Sequence, residues 1–308
     1  MSSSVRFSVV IPLYNKANYI ESAIASVCNQ TWAATEIIIV DDGSTDRGAD
    51  IVRGLNNPAL RLIVQLNSGV SAARNQGIEA ATQPYIAFLD ADDAYEPDFL
   101  AAIARLIGKF PHAKMFCTGY NLINLLGQRT EVLHPSIPQH QECLVSDFYT
   151  AWCKRSFTFS SAIVVRRDDL VAQNPPFPVG ERLGEDQDLW FRLAEAGEVA
   201  YACAALSNYH VGLAGSATTV NIPLDILPCY QRLGDRLATG KVPVTMRRGA
   251  FKLLASHVLN TARACGRGGQ FGKAASLLCE RRAFRNPVYW LRTALWLTAK
   301  SLKSVVSR

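Results

Sequence analysis

The feature that most restricts the fold is an alternation of apolar strand and helix, repeated four times in the first hundred or so residues. "FSVVIPLYN" (7–15), "EIIIV" (36–40), "LRLIVQL" (60–66) and "YIAFLDADD" (85–93) read as strands. Helices are expected over 17–30, 45–55, 69–82 and 96–110. The first carries Ile20, Ala23, Ile24 and Val27 at helical spacing, and Pro97 suits the start of the last. Such an order requires right-handed crossovers, and so an α/β fold with a mostly parallel sheet flanked by helices. Ligands of these sheets sit outside the carboxyl ends of the strands.

The strand ends are therefore the place to look for chemistry. They read Tyr14-Asn15, Asp41-Asp42, Asn67-Ser68-Gly69 and Asp90-Ala91-Asp92-Asp93. Four β-branched residues, Ile37 to Val40, deliver the Asp41-Asp42 pair to the sheet edge. One reading of that edge is a strand-to-helix turn with Ser44 or Thr45 as N-cap. The other is a ligand site. "DADD" divides in the same way. An Asp-x-Asp pair can share a hard divalent cation, Mg²⁺ or Mn²⁺, or it can be an acidic helix start favoured by the helix dipole.

Beyond residue 111 the pattern loosens, with short strands such as "AKMFCTGYNLI" and "SSAIVVRR" and Pro-rich loops at 135–138 and 175–178. "GEDQDLWFRLAEAG" (184–197) is a helix with Leu189, Trp190, Leu193 and Ala194 on its apolar side. Glu185 and Asp186 open it, as candidate chemistry or as ordinary N-terminal helix charge with Asp188 a solvated neighbour. His210 stands before a Gly-rich loop, 212–219, whose composition suits a lid. A lone histidine is as readily structural. After 225 the strands stop, which divides the chain into an α/β domain, 1–225, and a helical region, 226–308.

Charge follows the same division. Residues 1–229 carry 16 Lys and Arg against 24 Asp and Glu, whereas residues 230–308 carry 16 against 2. The 49% hydrophobic content is ample for a sizeable core. Eight cysteines with no C-x-x-C pair fit reduced, mostly buried thiols in a cytoplasmic protein. The N-terminus has no apolar segment of signal length, and no apolar run approaches the ~20 residues of a membrane span.

The last helix, from 288 to about 306, sets Val288, Leu291, Leu295, Ala299, Leu302 and Val306 in one stripe beside Arg292, Lys300 and Lys303. That pattern suits either peripheral association with an anionic membrane through 287–308 or packing on the rest of the chain. A nucleic-acid partner ranks last, because no recognition motif accompanies the charge.

Taken together, "VVIPLYNK", "IIIVDDGSTD", "NSGVSAARNQGI", "FLDADD" and "GEDQDLWFRL" resemble, in order and spacing, the family 2 glycosyltransferases, over roughly residues 5 to 215. The resemblance implies a GT-A fold and an inverting, metal-dependent transfer of one sugar from a nucleotide-sugar donor, with UDP expected. The acceptor it implies is a lipid-linked or surface glycan. Pro12, Tyr14, Asp41, Asp42, Arg74 and Asp90 then hold the nucleotide: Tyr14 against the base, Asp42 accepting from it, Asp90 facing the ribose. Asp92 holds Mn²⁺ or Mg²⁺, Asp93 assists, and His210 stands near the diphosphate or the metal. Asp186 becomes the base, with Glu185 beside it on acceptor or sugar.

The Gln-x-x-Arg-Trp segment of processive relatives is not found, so single-sugar transfer is expected. A sugar-phosphate nucleotidyltransferase would share the fold, but "IPLYNKANYI" lacks its Gly-rich loop. A catalytically silent relative would have lost Asp92 or Asp186, and both are present.

Overall fold

The computed structural model describes residues 5–213 and 223–306. The 212–219 loop therefore lies, from 214 onward, outside the described residues. Four strands run parallel, in the order β3 (Leu60–Val64), β2 (Glu36–Asp41), β1 (Phe7–Leu13), β4 (Tyr85–Phe88). They are linked by α1 (Ile20–Cys28), α2 (Gly48–Gly54) and α3 (Val70–Ala80).

The sheet continues beyond β4 with β9 (Ile163–Arg166), antiparallel to both of its neighbours, and then β6 (Met115–Ile123). The long strand β10 (Val199–His210) lies parallel to β6, the short β5 (Ala94–Tyr95) closes the edge antiparallel to it, and β7 (Arg129–Val132) and β8 (Glu142–Leu144) pair antiparallel with β6 and β10. The loosely patterned stretch after 111 thus supplies central strands. β6 and β9 fall within the two segments expected as strands, and both are buried runs without alternation.

All seven residues of β1 are buried, as expected for a strand covered on both faces. β3, at the edge, is only partly buried. Helix α4 (Phe99–Lys109) sends Phe99, Leu100, Ile103 and Leu106 into the core. Helix α3 lies close on β1 at Gly77, where a Cβ would run into a methyl of Val10. The register Leu13 opposite Asp41 aligns the ends of β1 and β2, so the first two polar endings share one edge.

Three expectations need correction. α2 begins at Gly48, not near 45, and neither Ser44 nor Thr45 caps it. Asp46 receives the Gly48 N–H instead, at 2.9 Å. Asp188 is buried and paired with Arg192 at 3.0 Å, so it is not a solvated neighbour. All eight cysteines are free thiols, but only Cys117, Cys203, Cys229 and Cys265 are buried.

The chain divides into two compact units, Met1–Ser146 with Arg155–Ser216, and Asp147–Lys154 with Ala217–Arg308. The helix Phe148–Lys154 thus belongs with the C-terminal helices, against Val244–Arg267, a pairing that no local pattern announces. No described helix is long and apolar enough to cross a membrane.

Candidate active site

The site builds up from the carboxyl edge of the sheet. Pro12 is buried within β1 and pairs with Val40. Just beyond the strand the Tyr14 ring is 48% exposed. Asn15 takes a left-handed turn, φ 51°. That turn lets its N–H reach Ser44 Oγ at 3.0 Å and its side-chain oxygen accept from Thr45 N at 2.8 Å. Ala17 N–H donates to Asp46 at 2.8 Å, so the "GSTD" turn serves as a brace for the β1–α1 loop.

Asp41 and Asp42 are both buried, with different partners. Asp41 Oδ1 accepts from Ser44 N at 3.2 Å and closes its own turn. Asp42 accepts from Gln65 Nε2 at 2.7 Å, Ser68 N at 2.8 Å and Gly69 N at 2.8 Å. Its carboxylate organises the loop entering α3. These bonds take three of the about four lone-pair directions on the carboxylate.

At the end of β4 the three carboxylates diverge. Asp90 pairs with Arg74 at 2.7 Å, and Asp92 with Lys16 at 2.6 Å. Asp93 is buried. It accepts from Ser161 Oγ at 2.6 Å and from the His210 backbone N–H at 3.2 Å. Burial first, and then the charges of Asp90 and Asp92, push its pKa well above the usual carboxylate range. His210 Nδ1 lies 2.7 Å from the carbonyl oxygen of Asp92. As donor there, the ring keeps Nε2 as its other nitrogen.

Arg74, 4% exposed, joins two distant parts of the chain. One terminal nitrogen meets Asp90, and the other meets Glu185 at 2.9 Å, 111 positions away. Its guanidinium also lies over the Phe177 ring, 5.3 Å from the centroid. Burial opposes its charge, but Asp90, Glu185 and Asp186 outweigh burial and raise its pKa above the ordinary arginine value.

Gly184, left-handed at φ 77°, turns the chain into α7 (Glu185–Ala196) and aims the acid pair at this cluster. Burial, reinforced by Asp186 and opposed by Arg74, pushes Glu185 up to about 7. Asp186 is held on both oxygens, by Ser160 Oγ at 2.8 Å and by the Gln187 N–H at 2.7 Å.

The structure thus gathers Arg74, Asp90, Asp92, Asp93, Glu185, Asp186 and His210, with Tyr14, Asp41 and Asp42 along the same edge. Sequence reasoning missed Lys16, Ser160 and Ser161. Lys16 had one signal, its place after Tyr14-Asn15 at a strand end. The serines had none, because their partners are 26 and 68 positions away. Among the described residues, no group of three or more His, Cys, Asp and Glu is arranged to hold a metal ion.

Residues 8–158 match the model of glycosyl transferase family 2. The uncharacterized glycosyltransferase alr2836 of Nostoc sp. is 31% identical over 216 residues, covering 67% of this chain and 65% of the relative. The uncharacterized glycosyltransferase YibD of Escherichia coli is 48% identical over 99 residues, 32% of this chain and 29% of the relative. The chain thus spans less than two thirds of the length of either relative. In fold it is similar to Staphylococcus aureus TarS 1-349 in complex with UDP-GlcNAc, with TM-score 0.67 and 17% identity over 94% of this chain and 90% of that one. With the mixed sheet and the acidic strand ends, these likenesses make the fold GT-A, and residues 8–158 belong to glycosyl transferase family 2.

Proposed function

We propose that the chain is an inverting glycosyltransferase that moves one sugar from a nucleoside-diphosphate sugar to a hydroxyl of a glycan or lipid-linked acceptor. The observation that carries the reading is the bridge made by Arg74, with Asp90 on one nitrogen and Glu185 on the other, and Asp186 next in the chain. It sets the acidic end of β4 beside a second pair of carboxylates. Donor binding and proton removal each have a candidate group there. The UDP-GlcNAc complex of TarS, of the same fold, supports a UDP-sugar as donor.

In this reading the exposed Tyr14 ring covers the base, and Asp42 offers its remaining lone pair to a base N–H. Pro12 and Asp41 shape that pocket from β1 and β2. Arg74, whose two terminal nitrogens meet carboxylates while its Nε has no partner, positions Asp90 for the ribose. Asp186 takes the proton of the acceptor hydroxyl as its oxygen bonds to the anomeric carbon. The sugar–diphosphate bond breaks on the opposite face, and its electron pair leaves with the diphosphate.

The donor set fits a divalent cation. Asp92 supplies a hard carboxylate and His210 a ring whose Nδ1 is already oriented by the Asp92 carbonyl, an arrangement common behind metal-binding histidines. Asp92 and His210 Nε2 would hold Mn²⁺ or Mg²⁺. Bound there, the ion supplies positive charge to the departing diphosphate. Lys16, paired with Asp92, provides a positive charge of the chain's own at the same carboxylate. Eight thiols that form no disulfide support a cytoplasmic protein.

The test is a melting-temperature panel with UDP, GDP, CDP and TDP, each with and without Mn²⁺. A ligand at a hundredfold excess over its Kd stabilises by about 2.7 kcal/mol. UDP is expected to raise the melting temperature in a metal-dependent way, and Asp92→Asn to remove the metal dependence. Asp186→Asn is expected to keep UDP binding and lose transfer. No response to any nucleotide, or normal turnover by Asp186→Asn, defeats the reading.

A further inference from the structure

The C-terminal helix Pro287–Val306 is anchored on one side only. Trp290 Nε1 donates to the Leu278 carbonyl at 2.9 Å, and Thr293 and Leu297 are buried. Its opposite side leaves Val288 (70%), Leu291 (54%), Leu295 (64%) and Leu302 (63%) open to solvent. At a turn of 100° per residue these four fall on one face, with Ala299 among them. A groove of about 530 Å³ continues the apolar surface, lined by Phe271, Leu278, Ala294, Leu297 and Leu302. The phenyl ring of Phe284, half exposed, lies just ahead of the helix in sequence.

Charge around this face is of one sign. Arg263, Arg267 and Lys300 gather about the Trp296 ring, 5.0, 5.8 and 5.6 Å from its centroid. Arg281, Arg285 and Arg292 are exposed. No acidic residue follows Glu280 in the chain, and Glu280 itself is paired with Arg282. An apolar stripe in water is unfavourable, and single-sign charge beside it disfavours covering by a second copy of the same face. A surface with an anionic layer over hydrocarbon matches both halves of the pattern.

We propose that this face docks on the headgroup region of an anionic phospholipid bilayer. The four exposed aliphatic side chains enter the acyl boundary, while Arg292, Lys300 and the cations around Trp296 meet lipid phosphates. This is independent of the reaction assigned above.

The test uses the full chain and vesicles of phosphatidylcholine with or without phosphatidylglycerol, and reads co-sedimentation and tryptophan emission. Expected is binding to the anionic vesicles only, weakened by salt, with a blue shift of emission. Leu291→Gln/Leu295→Gln changes exposed residues, keeps the melting temperature, and is expected to lower vesicle affinity by at least about tenfold. Arg292→Gln and Lys300→Gln are each expected to lower it about fivefold at low salt. Absence of vesicle binding, or equal binding by the double leucine variant, overturns the proposal. So does a concentration-dependent dimer that the leucine variant abolishes while lipid binding is absent.

Discussion

Ser160 donates a hydrogen bond to Oδ2 of Asp186 at 2.8 Å, while its neighbour Ser161 donates to Asp93 at 2.6 Å and receives the Asp90 N–H at 3.0 Å. One two-residue turn therefore ties the start of α7 to the acidic end of β4. For a carboxylate proposed to face an acceptor hydroxyl, this bond fixes the rotamer.

Ser160→Ala is expected to lower kcat by about tenfold or more, the range for a hydrogen bond to a charged group. KM for the donor and the melting temperature should change little, and Ser160→Thr should restore most of the rate. A parallel loss of rate and stability, or no rescue by Ser160→Thr, would reduce Ser160 to a structural role.

Glu185 keeps its proton up to about 7, against an ordinary value of 4.5, with Arg74 and Asp186 as the charges that face it. Between those values the unfolded chain has released the proton and the folded chain has not. This residue therefore makes stability fall as pH rises from about 4.5 to 7. Glu185→Gln should flatten the melting-temperature profile over that window and remove any inflection near neutrality from the rate profile. An unchanged slope across the window would show that burial does not hold the proton.

Arg74 answers two carboxylates from a buried position. Arg74→Ala leaves Glu185 and Asp90 without their counter-charge and should cost about 3–5 kcal/mol, read by denaturant titration. Arg74→Lys has one ammonium for two partners and should recover only part of that loss. A variant as stable as the parent would mean that the bridge contributes nothing net.

Lys16 and a divalent cation would share Asp92. Lys16→Gln should lower the Mn²⁺ concentration needed for half-maximal stabilisation by UDP. A rise in that concentration, or no change, would show that the two do not compete at this carboxylate.

Sequence patterning alone determined the α/β order, because strand and helix periodicities are local properties of ten or so residues. It also placed Tyr14, Asp41, Asp42 and the 90–93 acids at strand ends, since a short buried run must stop where polar residues begin. Tertiary structure decided what those groups do. Asp42 holds the 65–69 loop and Arg74 binds carboxylates, because backbone N–H groups and charges taken out of water must find partners, wherever in the chain those lie. Ser160 and Ser161 acquired a role only when β9 inserted beside β4, a long-range strand pairing that residues 155–166 do not encode by themselves. The last helix shows both influences. Its stripe was legible in the sequence, but only packing by Trp290, Thr293 and Leu297 determined which side faces water.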